Sequence, residues 1–367
     1  MSNINEKLSK RFVGLIIGTA VGDSLGLPSE GIKRKTLAKL KWARNLKHRF
    51  IFSKGMISDD TEHTLFVTQS LIMHSDDPDK FQKALAKKLR WWLISLPAGT
   101  GMATGISIIK LWLGISPKKS GVFSAGNGPA MRSAIIGARF FDKPVDMQKY
   151  VKRSTIITHS DPKAFIGAMA ISLCAAETML KKDGEMIDRG KLFMKLVMIP
   201  EKEDKEWAQL VTKMDVSLKK NMSVKDFAAE LGLDAGIGGY IYHTVPVAIY
   251  SWLRHEGDFH AALTESIRLG GDTDTVGAIV GALAGEYSGE AAIPKKWITD
   301  IVEWPRSIKV LRLAASRLAE QAAGNDVKPV RYFLPGVVIR NIIFFVIVLI
   351  HGFLRLIPAS IRRSRAR

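Results

Sequence analysis

Sulfur chemistry is almost missing from this chain: Cys174 is the single cysteine among 367 residues. That excludes a disulfide framework and any thiolate-built zinc site. The first ten residues are polar and lack the apolar core of a secretion signal, so a reducing cytoplasm is the expected compartment. Acid is missing from two long stretches. Residues 31–57 hold nine Lys or Arg and no Asp or Glu, and residues 331–367 hold seven Arg and again no acid. Those two segments carry most of the formal charge of +19 and leave the rest of the chain near neutral. Such segments are most simply solvated faces, and they also suit anionic lipid or nucleic acid. Sustained two-residue alternation of the β type is missing as well.

Glycine, by contrast, is plentiful and ordered. Gly14, Gly18, Gly22 and Gly26 recur every fourth residue, and Gly277, Gly281, Gly285 and Gly289 repeat the pattern. Four residues apart is one ridge of an α-helix. Each glycine there costs roughly 1 kcal/mol against alanine, so a whole ridge of them implies two central helices whose backbones approach closely. Asp23 and Glu286 interrupt these runs, which are too short to cross a bilayer. Three-to-four apolar spacing also marks residues 61–73, 81–94, 105–113, 130–141, 164–179, 245–254 and 308–323. The expected fold is all-α, with many helices and functional loops at their ends. The charged stretch 181–224 is expected to be a peripheral helical excursion.

Two acidic clusters stand out, Ser58-Asp59-Asp60-Thr61 and Asp272-Thr273-Asp274-Thr275, each at the head of a helical run. Carboxylates and hydroxyls packed together are the all-oxygen ligands that hard divalent cations such as Mg²⁺ take. The plain alternative is helix capping, because Ser58, Asp272 and Thr273 are good N-cap residues and acids are stabilised by the dipole there. Two such clusters, the second preceded by Gly270-Gly271, favour a shared metal site.

Five strings then occur in order: GTAVGDSLGLPSEG (18–31), SDDTEHTL (58–65), GNGPAMR (126–132), THSDP (158–162) and LGGDTDTVGAIVGALAGEYSG (269–289). Together they resemble the ADP-ribosylglycohydrolase family over residues 11–323. The resemblance implies an orthogonal helical domain with a cleft for two Mg²⁺ ions, or Mn²⁺ in some members. It implies hydrolysis of the bond joining ADP-ribose to a protein side chain, a nucleic acid or a small molecule. Carried over by position, Ser58, Asp59 and Asp60 would ligate metal from one wall and Asp272, Asp274 and Thr275 from the other. Glu30 would approach one metal and the scissile side of the ribose, Gly126, Asn127 and Gly128 would lie near diphosphate and ribose, and His159 would belong to the ribose pocket. Tyr240 either lines that pocket or packs in the core. Cleavage at an anomeric carbon needs charge stabilisation and a deprotonated water, for which Glu30, Asp59, Asp60 and Asp272 are the candidate bases. Asp23 is expected beside the metals as a supporting residue. Pro129 stiffens the glycine loop, and residues 97–105 carry no acid where some arginine-specific relatives have one. A noncatalytic ADP-ribose-binding module using the same cleft is the competing class. A nucleic-acid partner has only the charge in its favour and no motif.

Residues 324–367 read as a separate apolar tail ending in Arg362, Arg363, Arg365 and Arg367. Arg340, Asn341, His351 and Arg355 share one helical face, spanning roughly 100°. The uncharged window between Arg340 and Arg355 would reach only about 21 Å as a helix, short of a bilayer core. A surface or half-inserted membrane anchor at the cytoplasmic face is therefore expected over a span, with a helix docked on the domain as the alternative.

Overall fold

The two glycine ridges meet. In the computed structural model, which describes residues 2–40, 43, 45–182 and 184–356, helix α1 (Ser2–Gly26) runs antiparallel to α14 (Thr273–Ser288). A Cβ on Gly18 would lie 2.0 Å from the Gly281 carbonyl oxygen, and one on Gly22 would lie 1.9 Å from that of Gly277. Both are well inside van der Waals contact, so only glycine permits this backbone-to-backbone seam. The seam matters for function because Gly26 and Thr273, at its end, adjoin the loops that carry Glu30 and Asp272. Thr273 Oγ1 closes that end by donating to the Gly26 carbonyl at 2.8 Å.

The remaining helices wrap this pair in chain order. They are α2 (Arg34–Lys39), α3 (Asp59–His74), α4 (Pro78–Ile94), α5 (Met102–Trp112), α6 (Ala134–Arg139), α7 (Pro144–Ile156) and α8 (Pro162–Leu180). Then come α9 (Arg189–Val197), α10 (Lys205–Lys219), α11 (Val224–Glu230), α12 (Ile241–Arg254) and α13 (Phe259–Ile267). After α14 the chain adds α15 (Lys295–Thr299), α16 (Ile308–Ala322) and α17 (Leu334–Leu356). The fold is all-α, and only isolated β-bridges occur among the described residues. One core unites the helices, with Trp92, Trp207, Trp252, Tyr242 and Phe227 among its largest buried side chains. The charged stretch after α8 forms α9 and α10, whose apolar sides (Leu192, Leu196, Trp207, Val211, Met214) enter that core as an outer layer.

The tail helix α17 docks on the domain by its polar residues. The Arg340 guanidinium donates to both Glu303 carboxylate oxygens at 2.8 Å and to the Ile57 carbonyl. Asn341 Nδ2 donates to the Ser95 carbonyl at 2.8 Å, and His351 pairs with the Phe50 carbonyl at 2.6 Å. Arg340, Asn341 and His351 therefore face the protein, together with buried Val337 and Phe344, while the remaining apolar side chains of the helix are largely exposed. Arg362, Arg363, Arg365 and Arg367, together with Lys41 and Arg44, lie outside the described residues.

Candidate active site

Four loop segments converge at the ends of α1, α3 and α14. Gly31 N–H donates to the Gly271 carbonyl, Gly271 N–H to Ile32, and Asp272 N–H to Ile237, at 2.8–2.9 Å. Gly270 and Gly271 have φ of +73° and +84°, and a Cβ on Gly271 would meet the Ile237 carbonyl oxygen at 2.0 Å. Glycine is thus required on both counts where the chain turns into α14. The fourth segment joins through Asn127 N–H, which donates to the Gly239 carbonyl at 3.0 Å.

This knot brings the two acidic clusters face to face. Thr275 Oγ1 donates to Asp60 Oδ2 at 3.4 Å across the cleft. Ser58 caps α3, its Oγ accepting from Asp60 N–H at 3.4 Å and donating to Asp60 Oδ2 at 3.2 Å. Asp272 occupies the N-cap position of α14 but makes no capping bond. Its Oδ2 instead accepts from Asn127 Nδ2 at 2.7 Å, and Asn127 also donates to Thr244 Oγ1 at 3.0 Å. Ordinary capping therefore accounts for Ser58 and fails for Asp272.

Beneath the clusters lies Asp23, fully buried. Its carboxylate accepts from Ser58 N–H at 2.9 and 3.0 Å, from Thr61 N–H at 3.2 Å and from the Thr61 hydroxyl. Burial still pushes its pKa up to about 6, against the pull of those bonds. Asp59, Asp60 and Asp274 are raised well above the usual carboxylate range, first by burial and then by one another and by Asp23, Glu30 or Asp272. So many carboxylates in one low-dielectric site repel strongly unless something positive sits among them.

The donor set fits a hard divalent cation on one observation. Asp60 Oδ1 and Asp274 Oδ1 are buried without a hydrogen-bond partner, and an orphaned buried carboxylate oxygen is costly unless a cation or proton meets it. Among the described residues no three Asp, Glu, His or Cys side chains converge into a closed shell. Coordination would then need the Ser58 and Thr275 hydroxyls together with water or substrate oxygens, as suits Mg²⁺.

The accessory residues divide. His159 lies buried against the glycine loop: a Cβ on Gly126 would sit 2.9 Å from its Nε2 and one on Gly128 3.1 Å from its Cε1. Burial and the nearby Arg132 lower its pKa to about 3, so it stays neutral and can offer hydrogen bonds but not a proton at pH 7. The loop is less of a phosphate cradle than its glycines imply, because Gly126 N–H goes to Ser124 Oγ and Asn127 N–H to Gly239. Tyr240 is half-buried and packs against the core. Its hydroxyl donates to Glu206 at 2.8 Å and accepts from Lys163 at 2.8 Å. Glu30 is the exposed member of the carboxylate group, and Asp59 and Asp272 are partly exposed.

Several partners escape the sequence reading. Glu62, one turn after the first cluster, is buried between Arg306 and Trp92. Glu303 accepts from Ile57 N–H at 3.2 Å while Arg340 holds its carboxylate. Only the position of Glu62 within SDDTEHTL hinted at any of this, since its partners lie far along the chain.

A helical hydrolase with carboxylates gathered at helix ends is the class this geometry defines. The chain matches the ADP-ribosylglycohydrolase profile over residues 4–328 and belongs to that family, whose members cleave glycosidic bonds. It is 29% identical over 337 residues to the ADP-ribosylhydrolase ARH3 of Gallus gallus, covering 78% of this chain and 88% of that one. It is 26% identical over 320 residues to a putative ADP-ribosyl glycohydrolase of Acanthamoeba polyphaga mimivirus, covering 82% and 93%. A solved ADP-ribosylglycohydrolase-related protein complex shares the fold, with a TM-score of 0.66 and 24% identity over 86% of this chain and 99% of that one.

Proposed function

We propose that this protein hydrolyses the bond between ADP-ribose and its acceptor, using two Mg²⁺ ions held by Ser58, Asp59, Asp60, Asp272, Asp274 and Thr275. The observation that supports the proposal is that Asp60 and Asp274, from clusters joined by the Thr275–Asp60 hydrogen bond, each carry a buried oxygen without a partner. Bound there, the ions would offset the carboxylate charge, orient the ribose hydroxyls and make a neighbouring water more acidic. The chain's own residues do the rest. Asn127 fixes the Asp272 carboxylate, and neutral His159 lines the floor beside Gly126 and Gly128. Exposed Glu30 is the carboxylate best placed to take the proton from the attacking water. We infer the surface of a membrane as the place of work, from the outward apolar face of the tail helix.

The acceptor follows from a panel: ADP-ribose release from arginine-linked, serine-linked and DNA-linked substrates and from acylated ADP-ribose. Release from one of these is expected. Tight ADP-ribose binding by folded protein, with no release from any, would favour the noncatalytic module.

The same reading predicts how stability responds to pH. Folded-state pKa values raised above the unfolded value near 3.8 mean that these aspartates favour folding at low pH. That contribution is lost as pH rises from about 4 through the folded values. Mg²⁺ offsets the loss, so at one fixed concentration it raises the unfolding temperature more at about pH 8 than at about pH 5; at 100 times its Kd at pH 8 the stabilisation there is about 2.7 kcal/mol. Calorimetry with Mg²⁺ against EDTA at both pH values checks this, and an equal shift at the two would contradict it.

A further inference from the structure

Among the described residues, three helices are long and apolar enough to cross a membrane: the Glu6–Ser29 segment that overlaps α1, Pro162–Leu180 (α8) and Leu334–Phe353 within α17. The first two are core, with 94% and 78% of their apolar windows buried, whereas for α17 the share is 28%. What α17 can do is limited by its polar contacts. Arg340 and Asn341 at one end and His351 at the other all bond to the domain. Eleven residues of helix separate the two ends, about 16 Å. The helix is therefore fastened lengthwise and cannot stand across a bilayer without pulling a buried ion pair apart.

Its opposite face is uncovered. Ile339, Ile342, Ile343, Val346, Leu349 and Phe353 are each about half-exposed or more. The apolar surface continues on both flanks. On one side Trp91 and Ile94 share a groove with Val338, and Trp91 stacks edge-on to Trp112 of α5 at 5.6 Å. On the other side Phe50 packs on Phe344 at 5.0 Å, and two residues on, Phe52 is 96% exposed at the tip of a tight turn. The stretches that carry these exposed residues, 45–57, 80–112 and 331–353, contain no Asp or Glu, and the acids beside them are paired, Asp300 with Lys54 and Glu303 with Arg340. Lys83, Lys87 and Lys88 line the same groove as Trp91.

We propose that this face seats on an anionic lipid bilayer, with α17 lying in the plane of the interface, its outward apolar residues and Phe52 inserted, and the surrounding lysines against the headgroup phosphates. This rests on the membrane-side placement above and adds the surface, the orientation and the lipid charge. An outward apolar helix ringed by cations is the pattern of an interfacial helix, and cations near anionic headgroups add to binding. A second copy of the chain fits less well, because it would bring two lysine-lined faces together.

The test is co-sedimentation of the full chain with vesicles of phosphatidylcholine alone or with about 30% phosphatidylglycerol, beside I343E/V346E and F52S. Wild type is expected to bind anionic vesicles at least tenfold more tightly than neutral ones. I343E/V346E should lower that affinity by a further factor on the order of ten, and F52S by severalfold, with unchanged unfolding temperatures because these side chains are exposed. Hydrolysis of a soluble substrate, measured on the same samples, should be unaffected, which separates this idea from the catalytic one. No binding to anionic vesicles, or equal binding to both kinds, would overturn it. So would a dimer that I343E/V346E dissociates while wild type ignores lipid.

Discussion

Replacing Asp272 by Asn is expected to cut ADP-ribose release by about a thousandfold or more, about 4 kcal/mol of transition-state stabilisation, with the fold intact. The reasoning is local. Asp272 makes no capping bond to its own helix, so α14 does not depend on its side chain. Its Oδ2 faces the Asn127 amide at 2.7 Å. An amide in its place can still accept from Asn127 through its carbonyl oxygen, but it removes the charge that would hold a cation. Far-UV circular dichroism and the unfolding temperature should match wild type while kcat collapses. Asn127→Ala should be milder, roughly 10- to 100-fold, because it removes the group that orients the ligand and not the ligand. If the Asp272→Asn variant kept more than about a tenth of wild-type kcat, the proposed role of this wall would be wrong.

The second large effect lies far from the cleft in sequence and next to it in space. Arg340→Ala is expected to destabilise the protein by about 3–5 kcal/mol, because it strands Glu303 as a buried unpaired charge. Both side chains are nearly inaccessible, at 6% and 2%. Burial already pushes the Glu303 carboxyl up, and Arg340 is the main influence pulling it back. The pair also clamps a single peptide position: Glu303 accepts from Ile57 N–H, and Arg340 donates to the Ile57 carbonyl. Ile57 directly precedes Ser58. Loosening the clamp should therefore raise the Mg²⁺ concentration needed for half-maximal activity as well as lower the unfolding temperature. The double change Arg340→Met with Glu303→Leu tests the cause, since removing both charges should restore most of the stability. Equal damage from the double and single variants would mean that the charges are not the issue.

Arg340 and Glu303 thus tie the tail helix to the residue before Ser58, although the family profile ends at residue 328 and α17 begins at Leu334. The polar stripe of α17 is readable on a helical wheel. Which way it faces is not, because that depends on Glu303, Ser95 and Phe50, which reach it only through the tertiary fold. Glycine spacing was more informative: two ridges of four could mean little except mutual contact, and α1 and α14 meet along them. The long apolar helices α3, α4, α8 and α16 follow their periodicity closely. Helix α7 does not announce itself, because its buried side Met147, Tyr150, Val151 and Ser154 is set among lysines and an arginine. Short α13 hides similarly behind a histidine and three polar residues. At the site, motif residues are legible while their supports are not. Asp23 could be read from its string, but the Glu62 pairing with Arg306 and Trp92 and the cluster of Lys163, Glu206 and Tyr240 are set by tertiary packing.

Metal add-back tests the central claim most directly. Protein stripped of divalent ions is assayed for ADP-ribose release from the preferred substrate in EDTA, then with increasing Mg²⁺ or Mn²⁺. Negligible release in EDTA, recovered in full by added metal and not recovered by Asp272→Asn, is the predicted result. The same rate in EDTA as in Mg²⁺, from protein shown to be metal-free, would contradict it.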